Sequence, residues 1–371
     1  MNSKHVFVTM MSCLATLAGG CDDPESVEST AELTDESPIT EPREQALSQQ
    51  ELAGQPGQPT EVQEATVIGV ETVNVTIPAG LHAQGLALPA KLVRPKWSKP
   101  VADKPAMLVL HGSGGLLKMP KSKSDTPCSD EMETQFKDWS DRLAKLGYTV
   151  LLPSSYSARG FCDKHKDAGR MPKTFDDKPE QIVSRLYDVD ASSRFLCDQP
   201  GVDCERLGVL GFSQGGTMVM LALHWQIEEA LAHFRKNMAK DFDIEVPDVK
   251  PGRPEFQMGI AYYPGCAFDG VVPLDTGKSA VTDKFSPTTP LTILHGSKDA
   301  LLKECSTQYG PGRRQIQSKQ VAEQLKISDT YDITVYPGAA HSFDNGSSKG
   351  ADGAAREAAL KVTLQKLATQ L

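Results

Sequence analysis

The 371-residue sequence has no run of about 20 apolar residues, so it holds no membrane-spanning helix. It has no excess of positive charge. Its 39 Lys and Arg face 48 Asp and Glu, a formal net charge of −9, and nucleic acid is not an expected partner. Cys-x-x-Cys is missing, and so is the Gly-x-x-x-x-Gly-Lys loop of phosphate binders. Aromatic residues are absent between positions 22 and 65. What is present is unevenly spread. From Asp22 to Glu64 twelve acidic side chains meet one basic one, Arg43, a local balance of −11. From Thr66 onward the balance is +1, so the acidity belongs to one segment and the body is nearly neutral. The length suits one large domain or two small ones and can bury a sizeable core without metals or disulfides.

Met1 to Lys4 carries one positive side chain, Val6 to Ala18 is mostly apolar, and Gly19 and Gly20 are small. This layout predicts a secretory signal peptide over residues 1–21. Leu17-Ala18-Gly19-Gly20-Cys21 resembles a bacterial lipoprotein cleavage box, although its Leu stands four places before the Cys rather than three. That resemblance implies a lipid on Cys21 and a place at the bacterial cell envelope, with membrane contact only through the anchor; plain secretion is the alternative. Residues 22–65, rich in Glu, Ser, Thr, Pro and Gln, cannot bury enough apolar surface to offset their ordering entropy and read as a disordered acidic linker. Residues 66–371 are the expected folded domain.

Apart from Cys13 and Cys21, six cysteines remain, and an even number in an exported chain favours disulfides. Six allow fifteen connectivities. Cys197 and Cys204 bracket a turn-forming Asp-Gln-Pro-Gly-Val-Asp, and Cys266 and Cys305 each follow an expected strand end, so both pairs are expected bridges. Cys128 and Cys162 are left as the third. Zinc is the rival, but no paired His accompanies these cysteines, and no metal or cofactor is expected.

Short apolar runs alternate with longer helical patterns in the body. Val67–Ile77 and Ala87–Val93 read as an opening antiparallel pair. Ala106–Leu110, Tyr148–Leu152, Leu207–Leu210, Met258–Tyr262, Leu291–Leu294 and Tyr331–Val335 are compact strands of the kind a parallel sheet buries on both faces. Helices are expected over Glu131–Lys145, Pro179–Leu196, Gln214–Arg235, Arg314–Ile327 and Ala354–Leu367. The alternation predicts a doubly wound α/β domain, whose site lies beyond the carboxyl ends of the strands.

Four stretches follow such strand ends. Gly211-Phe212-Ser213-Gln214-Gly215 is Gly-x-Ser-x-Gly between a strand and a helix. A turn this tight leaves no room for side chains at the flanking positions and holds the serine on an exposed, strained elbow. Serine needs a base and the base needs a carboxylate. Of eight histidines, His341 sits in the loop after the last expected strand, and Asp299 follows Leu291–Leu294. A solvent-exposed loop His and a turn-capping Asp are the plain alternatives, but the order Ser, Asp, His is that of α/β-hydrolases. The glycine-rich Leu110-His111-Gly112-Ser113-Gly114-Gly115 offers free backbone N–H groups. Ser113 or Gly114, together with Gln214, would form the oxyanion hole.

Residues from about Thr66 to Leu371 resemble the dienelactone hydrolase family of α/β-hydrolases. Leu108–Gly115, Gly211–Gly216, His295–Asp299 and Tyr336–Phe343 carry the resemblance, in order. It implies an eight-stranded, mostly parallel sheet with helices on both faces, and hydrolysis of carboxylic esters or lactones. The founding members use a cysteine nucleophile; Ser213 here points to a serine hydrolase working through an acyl-enzyme. A small-molecule ester is then the expected partner, and oligomeric state is left open. Peptidase or acyltransferase chemistry and a non-catalytic binding lipoprotein are the rival functions.

Ser154–Gly160 also follows a strand. Arg159 there could hold a substrate carboxylate or simply shape its loop. Tyr156 and His111 are further candidates for substrate contact, His111 with a structural alternative. Lys118, Lys121 and Lys123 crowd a surface insertion, Gln226–Glu255 could form a lid over the cleft, and Trp225 is expected to pack.

Overall fold

The computed structural model describes residues 65–121, 128–171, 178–225, 227–228, 231–232, 252–266, 287–305, 331–346 and 348–371. The expected signal peptide and linker, Lys123, the helix at Arg314–Ile327 and most of the candidate lid lie outside the described residues.

The strands are β1 (Val67–Ile77), β2 (Leu88–Trp97), β3 (Lys104–Leu110), β4 (Thr149–Pro153), β5 (Val202–Phe212), β6 (Met258–Tyr262), β7 (Leu291–Gly296) and β8 (Tyr331–Tyr336). They form one eight-stranded sheet in the order β1-β2-β4-β3-β5-β6-β7-β8. β2 pairs antiparallel with β1 and β4, and every other neighbouring pair is parallel. The helices are α1 (Thr134–Lys145), α2 (Lys178–Cys197), α3 (Gln214–Ala222), the short α4 (Leu302–Cys305) and α5 (Gly350–Gln370). This is the α/β-hydrolase fold.

The period-two pleat sorts each central strand between two cores. In β3, Ala106, Leu108 and Leu110 join Val183, Leu186 and Tyr187 of α2 and Met218 to Ala222 of α3. Met107 and Val109 point the other way, to Phe136, Trp139 and Leu143 of α1 and Ala355, Ala359 and Leu367 of α5. The α1 residues recur at i, i+3 and i+7, one helical face. Cover on both sides explains why β4, β6 and β7 are buried along their whole length.

Three helices depart from expectation. α5 runs over Gly350–Gln370 rather than Ala354–Leu367. α1 starts at Thr134 rather than Glu131 because the preceding residues are taken by a bridge, Met132 to Leu117, and by Glu131 O accepting the Lys118 N–H at 2.8 Å. The helix after Ser213 ends at Ala222 rather than Arg235. Leu223 O accepts the Thr288 N–H at 2.9 Å and His224 bridges to Pro287, so the chain leaves the helix there although its apolar pattern continues. Helical backbone resumes at 227–228 and 231–232.

Cys197 is bonded to Cys204 and Cys266 to Cys305. The third expected bridge is corrected. Cys128 and Cys162 are free thiols beside one another, and the Cys162 thiol donates instead to Leu117 O at 3.0 Å. Parity of cysteine count says nothing about which way a thiol points.

Candidate active site

β5 delivers Ser213 to the end of the sheet. Its backbone has φ 53° and ψ −118°, a region an L-residue adopts only under constraint, and its N–H donates to Tyr262 O at 2.9 Å. The elbow's glycines are sterically required. A Cβ on Gly211 would overlap the Gly215 carbonyl, and one on Gly215 the Leu110 carbonyl at the end of β3. Helix α3 starts immediately, at Gln214.

The ends of β7 and β8 bring the other two groups. His341 Nε2 is 2.9 Å from Ser213 Oγ, and its Nδ1 is 2.7 Å from Asp299 Oδ2. Asp299 also behaves as the turn-capping residue of the plainer reading, since its Oδ1 accepts the Leu301 N–H at 2.9 Å. Each oxygen has its own task. Burial works against the carboxylate's charge, yet His341 and the Leu301 N–H hold its pKa below the usual value. The two loops are stitched together: the Lys298 N–H donates to Ala339 O at 2.8 Å and the Gly338 N–H to Ser297 Oγ at 2.8 Å. Ala340 N–H donates to Asp352 Oδ1 of α5 at 2.7 Å, so the loop that carries His341 is fixed on its far side too.

Neighbours shape these groups further. The His341 ring meets the Tyr263 ring edge-on at 4.7 Å, and the Tyr263 hydroxyl donates to buried Asp344, which also accepts from Gln135 and Trp139. His295, fully buried, sits with Nε2 3.1 Å from Pro264 O and Nδ1 3.4 Å from Asp299 Oδ2; burial lowers its pKa.

The glycine loop turns at Gly112, where Gly115 N–H donates to Gly112 O at 3.1 Å. The N–H groups of Ser113, Gly114 and Gln214 meet no acceptor among the described residues. Ser113 and Gly114 line, with Ser213 and His341, a cavity of about 490 Å³, within the range of small-ligand sites. His165 and Lys166 stand on its rim, His165 Nε2 lying 2.9 Å from Ser113 Oγ and Lys166 pairing with Asp163 at 3.0 Å. Nothing in the sequence pattern singled out His165, because it belongs to a loop without a motif.

Three candidates for substrate contact lie beneath this loop and off the cavity wall, which corrects the expectation for each. Arg159 forks onto Asp188 of α2, at 2.9 and 3.0 Å, and so takes the loop-shaping alternative. Tyr156 is buried and donates to Gln214 Oε1 at 2.5 Å. His111 is buried, with Nδ1 2.7 Å from Gly112 O; burial first, then Arg185, pushes its pKa down to about 3 and keeps it neutral. Lys118 pairs with Glu131 at 3.0 Å, on the surface. Trp225 lines a separate cavity past the C-terminal end of α3.

The sequence pattern of the dienelactone hydrolase family matches residues 89–251 and 246–371. The chain belongs to that family. It is 27% identical over 227 residues, 58% of this chain and 71% of the relative, to a Bradyrhizobium protein named a probable 2-oxo-3-(5-oxofuran-2-ylidene)propanoate lactonase. A Synechocystis protein named for carboxymethylenebutenolidase activity is 25% identical over 232 residues, 60% of this chain and 76% of its own. Among solved structures, a dienelactone hydrolase-like promiscuous phosphotriesterase from metagenomic libraries superposes with a TM-score of 0.51 at 14% identity, covering 81% of this chain and 99% of the other, a likeness of fold.

Proposed function

We propose that this protein hydrolyses carboxylic esters or lactones through an acyl-enzyme on Ser213. The observation that carries the reading is the continuous chain Asp299 Oδ2, His341, Ser213 Oγ, with contacts of 2.7 and 2.9 Å, opening on a cavity of small-molecule size. His341 Nε2 takes the serine proton as Oγ attacks the carbonyl carbon, and Asp299 fixes the imidazole with Nδ1–H towards itself. The carbonyl oxygen becomes an oxyanion, met by the N–H of Gln214 and that of Ser113 or Gly114. His341 returns the proton to the leaving alkoxide, and water, activated the same way, frees the acid. Both curated relatives are named for opening unsaturated lactones, which keeps cyclic esters in the class.

The test is turnover of p-nitrophenyl esters and of a butenolide, with Ser213→Ala as control. A fall of about 10⁴-fold or more is expected, together with a fluorophosphonate adduct located on Ser213 by mass spectrometry. Undiminished turnover in the variant would reject the assignment. Peptides and alcohol acceptors in the same panel address the peptidase and acyltransferase readings, and a folded protein that takes no probe would favour a binding protein.

We also propose export, with the chain held at the cell envelope by a lipid on Cys21. The signal-like start, the small residues before Cys21, and two disulfides support it.

A further inference from the structure

The oxyanion donors come from two separate segments, the loop after β3 and the first turn of α3. Something must hold these segments in register. Arg185, in the middle of α2, is 1% exposed and lies beneath both. One guanidinium nitrogen donates to His111 O at 2.6 Å, the peptide carbonyl just before Gly112. Another donates to Gln214 Oε1 at 2.7 Å. Tyr156 donates to the same Oε1 at 2.5 Å, and its ring lies 5.5 Å from the guanidinium carbon. The Gln214 amide nitrogen donates to Gln181 Oε1, which also accepts Lys164 Nζ at 3.0 Å. Lys164 N–H then donates to Ser113 O at 3.0 Å, so the circuit closes on the loop where it began.

We propose that Arg185 is a positioning residue of the oxyanion hole. Its planar fork ties the residue before the glycine loop to the side chain of the residue whose N–H is the second donor, and fixes the angle between the two halves. Its charge has a second consequence. Both bonds end on neutral oxygens, and the buried carboxylates Asp188 and Asp190 on the same helix are engaged elsewhere, Asp188 by Arg159 and His82 and Asp190 by Arg194. A positive charge therefore stays beneath the site in a water-poor region, where it favours a negative oxygen over a neutral carbonyl. That preference exists in the transition state and not in the bound substrate, so it acts on kcat rather than on KM.

The inference rests on ester hydrolysis at Ser213. Arg185→Met and Arg185→Lys are compared with the unaltered protein, with fluorophosphonate end-point titration counting the folded, competent serines in each. Per titrated serine, kcat is expected to fall about 100-fold in Arg185→Met and about tenfold in Arg185→Lys, with KM within about threefold. The inhibition constant of an alkylboronic acid, whose tetrahedral adduct places an oxygen in the hole, should rise by the factor lost from kcat/KM. A role confined to stability would lower the number of titratable serines or the Tm and leave both per-serine quantities unchanged. The proposal is overturned if kcat per serine stays within threefold in both variants, or if kcat falls without matching loss of boronate affinity. If Arg185→Met does not fold, Arg185→Lys alone decides by the same two criteria. An unaltered protein that titrates with fluorophosphonate yet turns over no ester would instead overturn the ester reading.

Discussion

A histidine sealed under a glycine loop, next to a guanidinium, resists protonation, and this has a cost in acid. His111 keeps a pKa of about 3 in the folded protein against about 6.5 in the unfolded chain. Between those values the unfolded state binds one proton more, so stability falls as pH falls, by about 1.4 kcal/mol per pH unit from this residue. His111→Asn keeps an amide that can donate to Gly112 O and removes the titration. Urea unfolding between pH 6 and pH 4 should give a shallower slope for the variant by about that amount, and an identical slope would contradict the assignment. Asp188 adds to acid lability in the same direction. Burial alone would raise its pKa, but Arg159 and His82 depress it far below the usual range, so its contribution is present above about pH 4 and is lost as pH falls further. At this scale Ser213, Asp299 and His341 were legible because each follows an apolar strand at a turn. Arg159 was weighed both for substrate and for shaping its loop, and Arg185 was not singled out. Helical and loop sequence gives no sign of which cation ends on a carboxylate and which on a peptide carbonyl.

Elements carry the site by their ends, and the bridges secure those ends. Cys266–Cys305 closes a 39-residue separation between the segments after β6 and β7, and Cys197–Cys204 closes seven residues between α2 and β5. Loop-closure entropy assigns about 4 kcal/mol to the longer link and about 2 kcal/mol to the shorter. Replacing each pair by alanine and measuring denaturant unfolding should rank the two in that order; equal losses would show that strain or residual structure dominates. The strands were readable because burial on both faces makes them short, uniformly apolar runs. The start of α1 and the end of α3 were not, since a bridge at Met132 and a carbonyl claimed by Thr288 override a pattern that would continue the helix. Free Cys128 and Cys162 belong to the same lesson: pairing is a matter of direction, which counting does not carry.

Across the whole molecule, charge is segregated: an acidic stretch of −11 precedes a nearly neutral catalytic body. If residues 22–65 are a spacer and Cys21 an anchor, cells given labelled palmitate should yield labelled protein in the membrane fraction. Cys21→Ser should abolish the label and release the chain. Unlabelled protein in the wild type would defeat the anchor. The family pattern spans 89–251 and 246–371, so the body from β2 onward answers to one family. The order of its motifs was visible in sequence because each sits just past a strand, but the polar circuit beneath the glycine loop was not, because its members come from five separate segments.

His295 closes the account of Asp299. A carbonyl oxygen only accepts, so the imidazole must spend its single proton on Pro264 O, and it turns a bare lone pair towards the carboxylate. Asp299 thus serves one imidazole, not two. In the proposed mechanism the positive charge that builds on His341 has no second ring to spread into, and the proton traffic runs through a single nitrogen pair.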